Sequence, residues 1–200
     1  MTSQIDIANW ALDFCGATRI NALSDTSERA GLINNAWIST RDYALRARIW
    51  RFSILRDELT RETAAPAWGF DCQYTLPGDC LRVLQIGETY ALSDLSDHVT
   101  ADNSLWRIEQ DKILIDDEGP LKIRYVSNAV AIGLWDAAFA HYFAALLAER
   151  IITRLTESET ARARIKDEKM MALREAVRSN ALETPPVLPG DGSWIASRYS

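Results

Sequence analysis

Residues able to do chemistry are few in this chain, and their spacing argues against most of it. The two histidines are His98, in a polar run, and His141, on an otherwise apolar helical stretch. His141 has no second ligand at helical spacing. No H-E-x-x-H, C-x-x-C, G-x-S-x-G or G-x-x-x-x-G-K-[ST] occurs, which argues against a zinc protease, a serine hydrolase and a P-loop nucleotidase. A single histidine on an apolar face is more often a satisfied core or interface residue than a ligand. Cys15, Cys72 and Cys80 are odd in number and lack metal spacing, so they read as reduced structural thiols. The P-G-D-G run near the C-terminus neither follows a strand nor opens a helix, so no phosphate cradle, metal or cofactor is expected.

Charge narrows the choice further. Net charge is −6, without the basic footprint of a dedicated nucleic-acid binder. Eight acidic residues lie between Asp94 and Glu118 against Arg107 and Lys112, an arrangement that is usually a solvated face. A glycosidase needs two carboxyls at a set distance across a cleft, which linear spacing does not define. Arg150, Arg154, Arg162, Arg164, Lys166 and Lys169 alternate with Glu149, Glu157, Glu159, Asp167 and Glu168. That alternation suits ion pairs on helix surfaces, or a charged subunit interface, more than a DNA groove.

The elements that must position these groups change period twice. Ser3-Gln4-Ile5-Asp6 predicts a capped helix start, with Gly16 as its stop. A second helix is expected from Thr26 or Ser27, with a third helical segment from Trp50 to Leu59. Around Leu76-Pro77-Gly78-Asp79 the pattern turns to strands, because Pro77 fixes its φ and biases Leu76 toward extended geometry. Strict alternation would put Leu81, Val83 and Gln85 on one face, with Arg82, Leu84 and Ile86 on the other. Apolar groups on both faces imply a strand covered on both sides. W-R-I-E, K-I-L-I and L-K-I-R-Y-V, separated by turns, read as a β-meander.

Helical spacing returns from Leu134 to Leu155, and T-E-S-E at Thr156 is expected to cap a last, charged helix. The stretch Ala129–Ala148 is interrupted by Asp136 and His141 and reads as a core helix, not a membrane span. The first residues have neither the basic nor the apolar region of a secretory signal. The expected fold is α+β: a mainly helical bundle from 1–65 with 129–182, a β-rich insert at 66–128, and an extended arm at 183–200. Pro185 and Pro186 stiffen that arm, yet it carries Trp194, Ile195, Arg198 and Tyr199, groups suited to anchoring on another subunit or folding back on its own domain.

The layout of helices, an R-x-x-W-x-F-x-x-x-R segment, Y-x-L-P-x-D-C-L-R-V, strands, an alanine-rich helix and a charged helix resembles the tail tubular protein A family of short-tailed bacteriophages. The matching residues are Arg41, Ala44, Leu45, Trp50, Phe52 and Arg56, then Tyr74, Leu76, Pro77, Asp79, Cys80, Leu81, Arg82 and Val83. Tyr125, Trp135, Phe139, Ala144, Leu147 and Ala148 continue the match, which runs roughly from Ser27 to Ala176. L-P-x-D-C-L-R-V is its most specific part.

The resemblance implies a structural virion protein, a head-to-tail adaptor or connector, and not an enzyme. It implies a homo-oligomeric ring, a dodecamer, beneath the portal protein, handing the DNA channel to the nozzle or tubular protein B below. DNA would pass without specific binding, and no membrane would be involved. The site would be the virion tail at the portal vertex, after assembly in the host cytoplasm. Trp194, Ile195, Arg198 and Tyr199 would latch onto the portal. The alternative is a virion-associated hydrolase acting on host glycan, which would require a carboxylate pair. The acidic net charge, the aromatic-rich helices and the missing catalytic constellation suit the adaptor.

Overall fold

A computed structural model describes residues 2–87, 90–91, 106–156 and 158–183. The fold is α+β, with helices from both ends of the chain flanking a region of strands. In chain order the elements are α1 (Gln4–Phe14), α2 (Glu28–Ala47), β1 (Ile54–Leu59), β2 (Cys72–Thr75), β3 (Cys80–Ile86) and β4 (Tyr90–Ala91). Then follow β5 (Trp106–Glu109), β6 (Lys112–Ile115), β7 (Leu121–Ser127), α3 (Ala137–Leu155) and α4 (Glu159–Leu182).

Local signals set the helix ends. Ser3 and Asp6 form the predicted capping box, and Gly16 takes the left-handed conformation (φ 68°) that closes the first helix. Ser27 caps α2 by accepting from the Ala30 amide. Two helix starts differ from expectation. Asp136 accepts from the amides of Ala138 and Phe139, so α3 begins at Ala137 and not at Leu134. Ser158, not Thr156, caps α4. Thr156 instead closes α3, its amide bonded to the Ile152 carbonyl, and its hydroxyl accepts from the Ser158 amide.

The segment Trp50–Leu59 is not a helix. After a 3-10 turn at Arg51–Ser53 it becomes β1, paired antiparallel with β7 from Ile54↔Val126 to Leu59↔Leu121. The Trp50 indole donates to the Ala44 carbonyl at 2.9 Å, satisfying an acceptor that the end of α2 leaves open. A strand-forming partner more than sixty residues on therefore prevails over local helical spacing.

The expected meander also differs. β5 and β6 form a hairpin, but β7 crosses to another sheet. One sheet has the order β1-β7-β3-β4 and the other β2-β6-β5, all antiparallel. The two sheets share a core of Leu59, Cys72, Tyr74, Val83, Ile86, Ile113, Ile115, Leu121, Ile123 and Tyr125. The strand-rich body thus begins at β1, inside the stretch expected to be helical.

A larger core lies among the helices. Phe139 is completely buried and meets the rings of Trp50 (4.8 Å), Phe52 (4.8 Å) and Trp135 (5.1 Å), while Phe143 sits 5.0 Å from Trp37. α3 and α4 form a hairpin, tied by Glu149–Lys169 and by the Ser179 hydroxyl donating to Asp136. On α4 only Ile165, Ala172 and Ala176 are buried, a narrow apolar stripe on an otherwise charged helix.

β3 joins the two cores, and simple alternation does not describe it. Register shifts against β7 fall between Cys80 and Arg82 and between Val83 and Gln85, so Leu81 and Leu84 are the extra residues of two bulges. Both leucines pack on the helical core, while Val83 and Ile86 enter the strand core. The strand is covered on both sides, as its composition implied, but the faces are divided by bulges.

Candidate interaction surfaces

The L-P-G-D turn before β3 is held by backbone hydrogen bonds and by the Asp79 carboxylate. The Cys80 amide donates to the Pro77 carbonyl at 2.9 Å, and the Asn128 amide to the Asp79 carbonyl at 3.0 Å. The Asp79 carboxylate accepts a short hydrogen bond from Ser127, and the Tyr125 hydroxyl lies 3.4 Å away. Burial, then the charges of Asp79 and Asp57, push the Tyr125 phenol up to about 12. Arg46 of α2 donates to the Leu81 carbonyl, so the turn, the bulged strand and α2 are fastened together. These groups hold the two bodies in a fixed relation; they do not converge on a space for a substrate.

The groups singled out for chemistry are placed as follows. Burial pushes the Cys15 and Cys80 thiols up to about 11, so both are protonated at neutral pH and neither is an activated nucleophile. Cys72 is buried in the strand core. His141 lies between α1 and α4, its ring edge-on to Phe14 at 5.4 Å and its Nε2 3.2 Å from Glu168. Beside it a shallow pocket of about 260 Å³ is lined by Asp13, Phe14, Arg164, Ile165 and Glu168. Its carboxylates are occupied: Asp13 pairs with Arg19 at 2.8 Å and Glu168 with His141, while Arg164 donates to the Phe14 carbonyl. The pocket is an ion-paired seam between helices. Among the described residues no three His, Cys, Asp or Glu are grouped to hold a metal. No helix there is long and apolar enough to cross a membrane. His98 and the arm residues Trp194, Ile195, Arg198 and Tyr199 lie outside the described residues.

What the surface does offer is exposed anchors. Trp68 is 83 % exposed, far more than burial preference predicts for an indole. Downstream of it in the chain, Asp71 meets the acidic 116–118 turn. The Asp71 amide donates to the Asp116 carboxylate at 2.9 Å, Asp117 and Gly119 turn their carbonyls onto the Tyr74 hydroxyl, and Glu118 pairs with Arg61 at 3.4 Å. At the end of α2 the balance reverses. Arg41, Arg46, Arg48 and Arg51 stand with one acidic residue, Asp42, in eleven residues; Arg41 pairs with Asp42 at 2.9 Å and Arg46 reaches the Leu81 carbonyl. Tyr43 is 55 % exposed beneath the Arg150 guanidinium, 5.4 Å from the ring centre, and Ile49 is also exposed. Sequence reasoning did not single out Trp68, and of these arginines it named only Arg41, through a resemblance. Exposure is a tertiary property, and the one signal available was the local run of arginines in an acidic chain. No protein-family model and no curated protein matches the chain.

Proposed function

We propose that the chain is a structural subunit of a virion, a head-to-tail adaptor of the tail tubular protein A kind. It assembles into a ring, binds the portal protein, extends the DNA channel and joins the tail nozzle below. The observation that carries this reading is the position of its most specific motif. Tyr74 to Val83, the residues that resemble the family, run from β2 into β3, which like its neighbour β7 sends side chains into both cores. Leu81 goes to the helical core, Val83 to the strand core, and Asp79 is pinned between Ser127 and Asn128. A connector subunit needs such a joint, because two partners on opposite sides stay in register only through a rigid body. The surface supports the same reading: exposed Trp68 on the strand side, and exposed Met170 and Met171 on the charged outer face of α4. An acidic net charge suits a conduit through which DNA slides.

Electron microscopy of the purified full chain, with and without the matching portal ring, tests this function. A ring stacked coaxially on the portal is the expected result. Dispersed monomers that ignore the portal would overturn it, and glycan turnover by the same preparation would favour the hydrolase instead.

A further inference from the structure

The two exposed anchors lie at opposite ends of one sheet. β1 leaves the arginine-rich end of α2 at Ile54, opposite Val126, and finishes at Leu59, opposite Leu121. The turn Asp116–Glu118 comes just before Leu121, and Arg61 just after β1 pairs with its Glu118. Six residues of strand therefore separate the acidic Trp68 corner from the basic Tyr43 patch, about 20 Å at roughly 3.3 Å per residue. Within one molecule the two cannot meet. Between two molecules they are complementary in charge and in kind: an exposed indole near Asp71 in the chain, whose amide meets the acidic 116–118 turn, and an exposed phenol under the Arg150 guanidinium, with Arg48 and Ile49 exposed at the same end of α2.

We infer that these surfaces are the two halves of one contact between copies of this chain, with Trp68 seated against Tyr43 and the arginines around it. The inference rests on the ring reading and names its interface. Trp, Tyr and Arg are the side chains enriched among interface hot spots, and Trp and Tyr bury a large area with only two side-chain torsions to fix. Arginine also stacks on an indole face as it bonds carboxylates. A basic patch could equally meet nucleic-acid phosphate, but phosphate would repel the carboxylates at the Trp68 corner and leave that indole unexplained. The contact is heterologous, since different patches meet. Successive copies then continue in one direction, and the series ends only by closing on itself.

The test uses the full chain and exposed positions that leave both cores intact. Self-association is followed by sedimentation velocity for wild type, Trp68→Ala, Arg48→Glu, Glu118→Arg and the double variant Arg48→Glu/Glu118→Arg, with thermal melts confirming that each folds. Each single change is expected to raise the association midpoint by about tenfold or more, and the double variant to recover most of the loss, because the reversed charges attract again. Wild-type rings that all three single variants reproduce would overturn this interface and leave the ring standing. Single losses with no recovery in the double variant would overturn the pairing of these two patches. A wild-type chain that stays monomeric, with or without portal, would overturn the ring and this contact together. Salt-sensitive binding of duplex DNA that Arg48→Glu abolishes, with association unchanged, would assign the patch to phosphate and overturn the proposal.

Discussion

The helical core and the strand core are held by different forces. Around Phe139 the contacts are aromatic, and the stabilisation comes from apolar area removed from water. The strand core is smaller, and polar groups close its edges. The Tyr74 hydroxyl bridges two carbonyls of the 116–120 turn, while Glu62 gathers Lys112, Thr75 and Gln73 beside β2. A core made of area tolerates changes in solvent charge, whereas a body closed by hydrogen bonds and an ion pair responds to them. The helical body is suited to permanence and the strand body to local adjustment.

The largest break in this contrast is expected from Phe139→Ala. It removes a fully buried ring from among five others, and a cavity of that kind costs about 3–5 kcal/mol. Urea unfolding followed by tryptophan fluorescence should show the whole transition moving to lower denaturant. A change confined to one phase would mean that the helical core does not carry global stability.

Tyr74→Phe should have an intermediate and local effect. It leaves the Asp117 and Gly119 carbonyls without their donor at a cost of about 1–2 kcal/mol. Hydrogen exchange should accelerate in β2 and β6 and stay unchanged in α3. Equal acceleration in both bodies would erase the distinction drawn between them.

Acid sharpens the same comparison at smaller amplitude. The hydrogen bond from Lys112, followed by that from Thr75, holds the Glu62 carboxyl below its ordinary value of 4.5. A carboxyl with a lowered folded pKa binds more protons when unfolded. Its contribution is therefore present above pH 4.5 and disappears as pH falls through the depressed value. Asp6 is lowered likewise, by its hydrogen bonds with Ser3. Exchange measured from pH 6 down to about 3 should loosen the β2–β6 corner and the first turn of α1 before α3. Glu62→Gln should remove the pH dependence at the corner and leave that at α1. An unchanged corner profile would show that Glu62 does not govern it.

How far these features could be read from the chain depended on the range of the forces. The caps at Ser3 and Ser27 and the stop at Gly16 are settled within four residues, so composition alone placed them. Trp50, Phe52, Ile54 and Leu55 sit at spacings that a helix and a strand both accept. What decides for strand is β7, whose Leu121–Val126 pairs with Ile54–Leu59 from more than sixty residues away. The faces of β3 were misassigned for a related reason: a period of two has no means of announcing the bulges at Leu81 and Leu84. T-E-S-E offered two hydroxyls to one helix end, and closure of α3 by Thr156 left Ser158 as the cap. Of the candidate surfaces, the arginines from Arg41 to Arg51 stand together in the chain but were not singled out as a charge run, and the exposure of Trp68 depends on what fails to pack over it.

The division of β3 between cores also has a mechanical meaning. Val83 and Leu84 are consecutive, yet one is rooted among strands and the other among helices. A force that draws the two bodies apart loads the strand lengthwise, as a tie rod is loaded, and the side chains on either side resist in shear. Neighbouring anchors of this kind must slip together for the joint to fail, so the subunit transmits tension across itself without hinging.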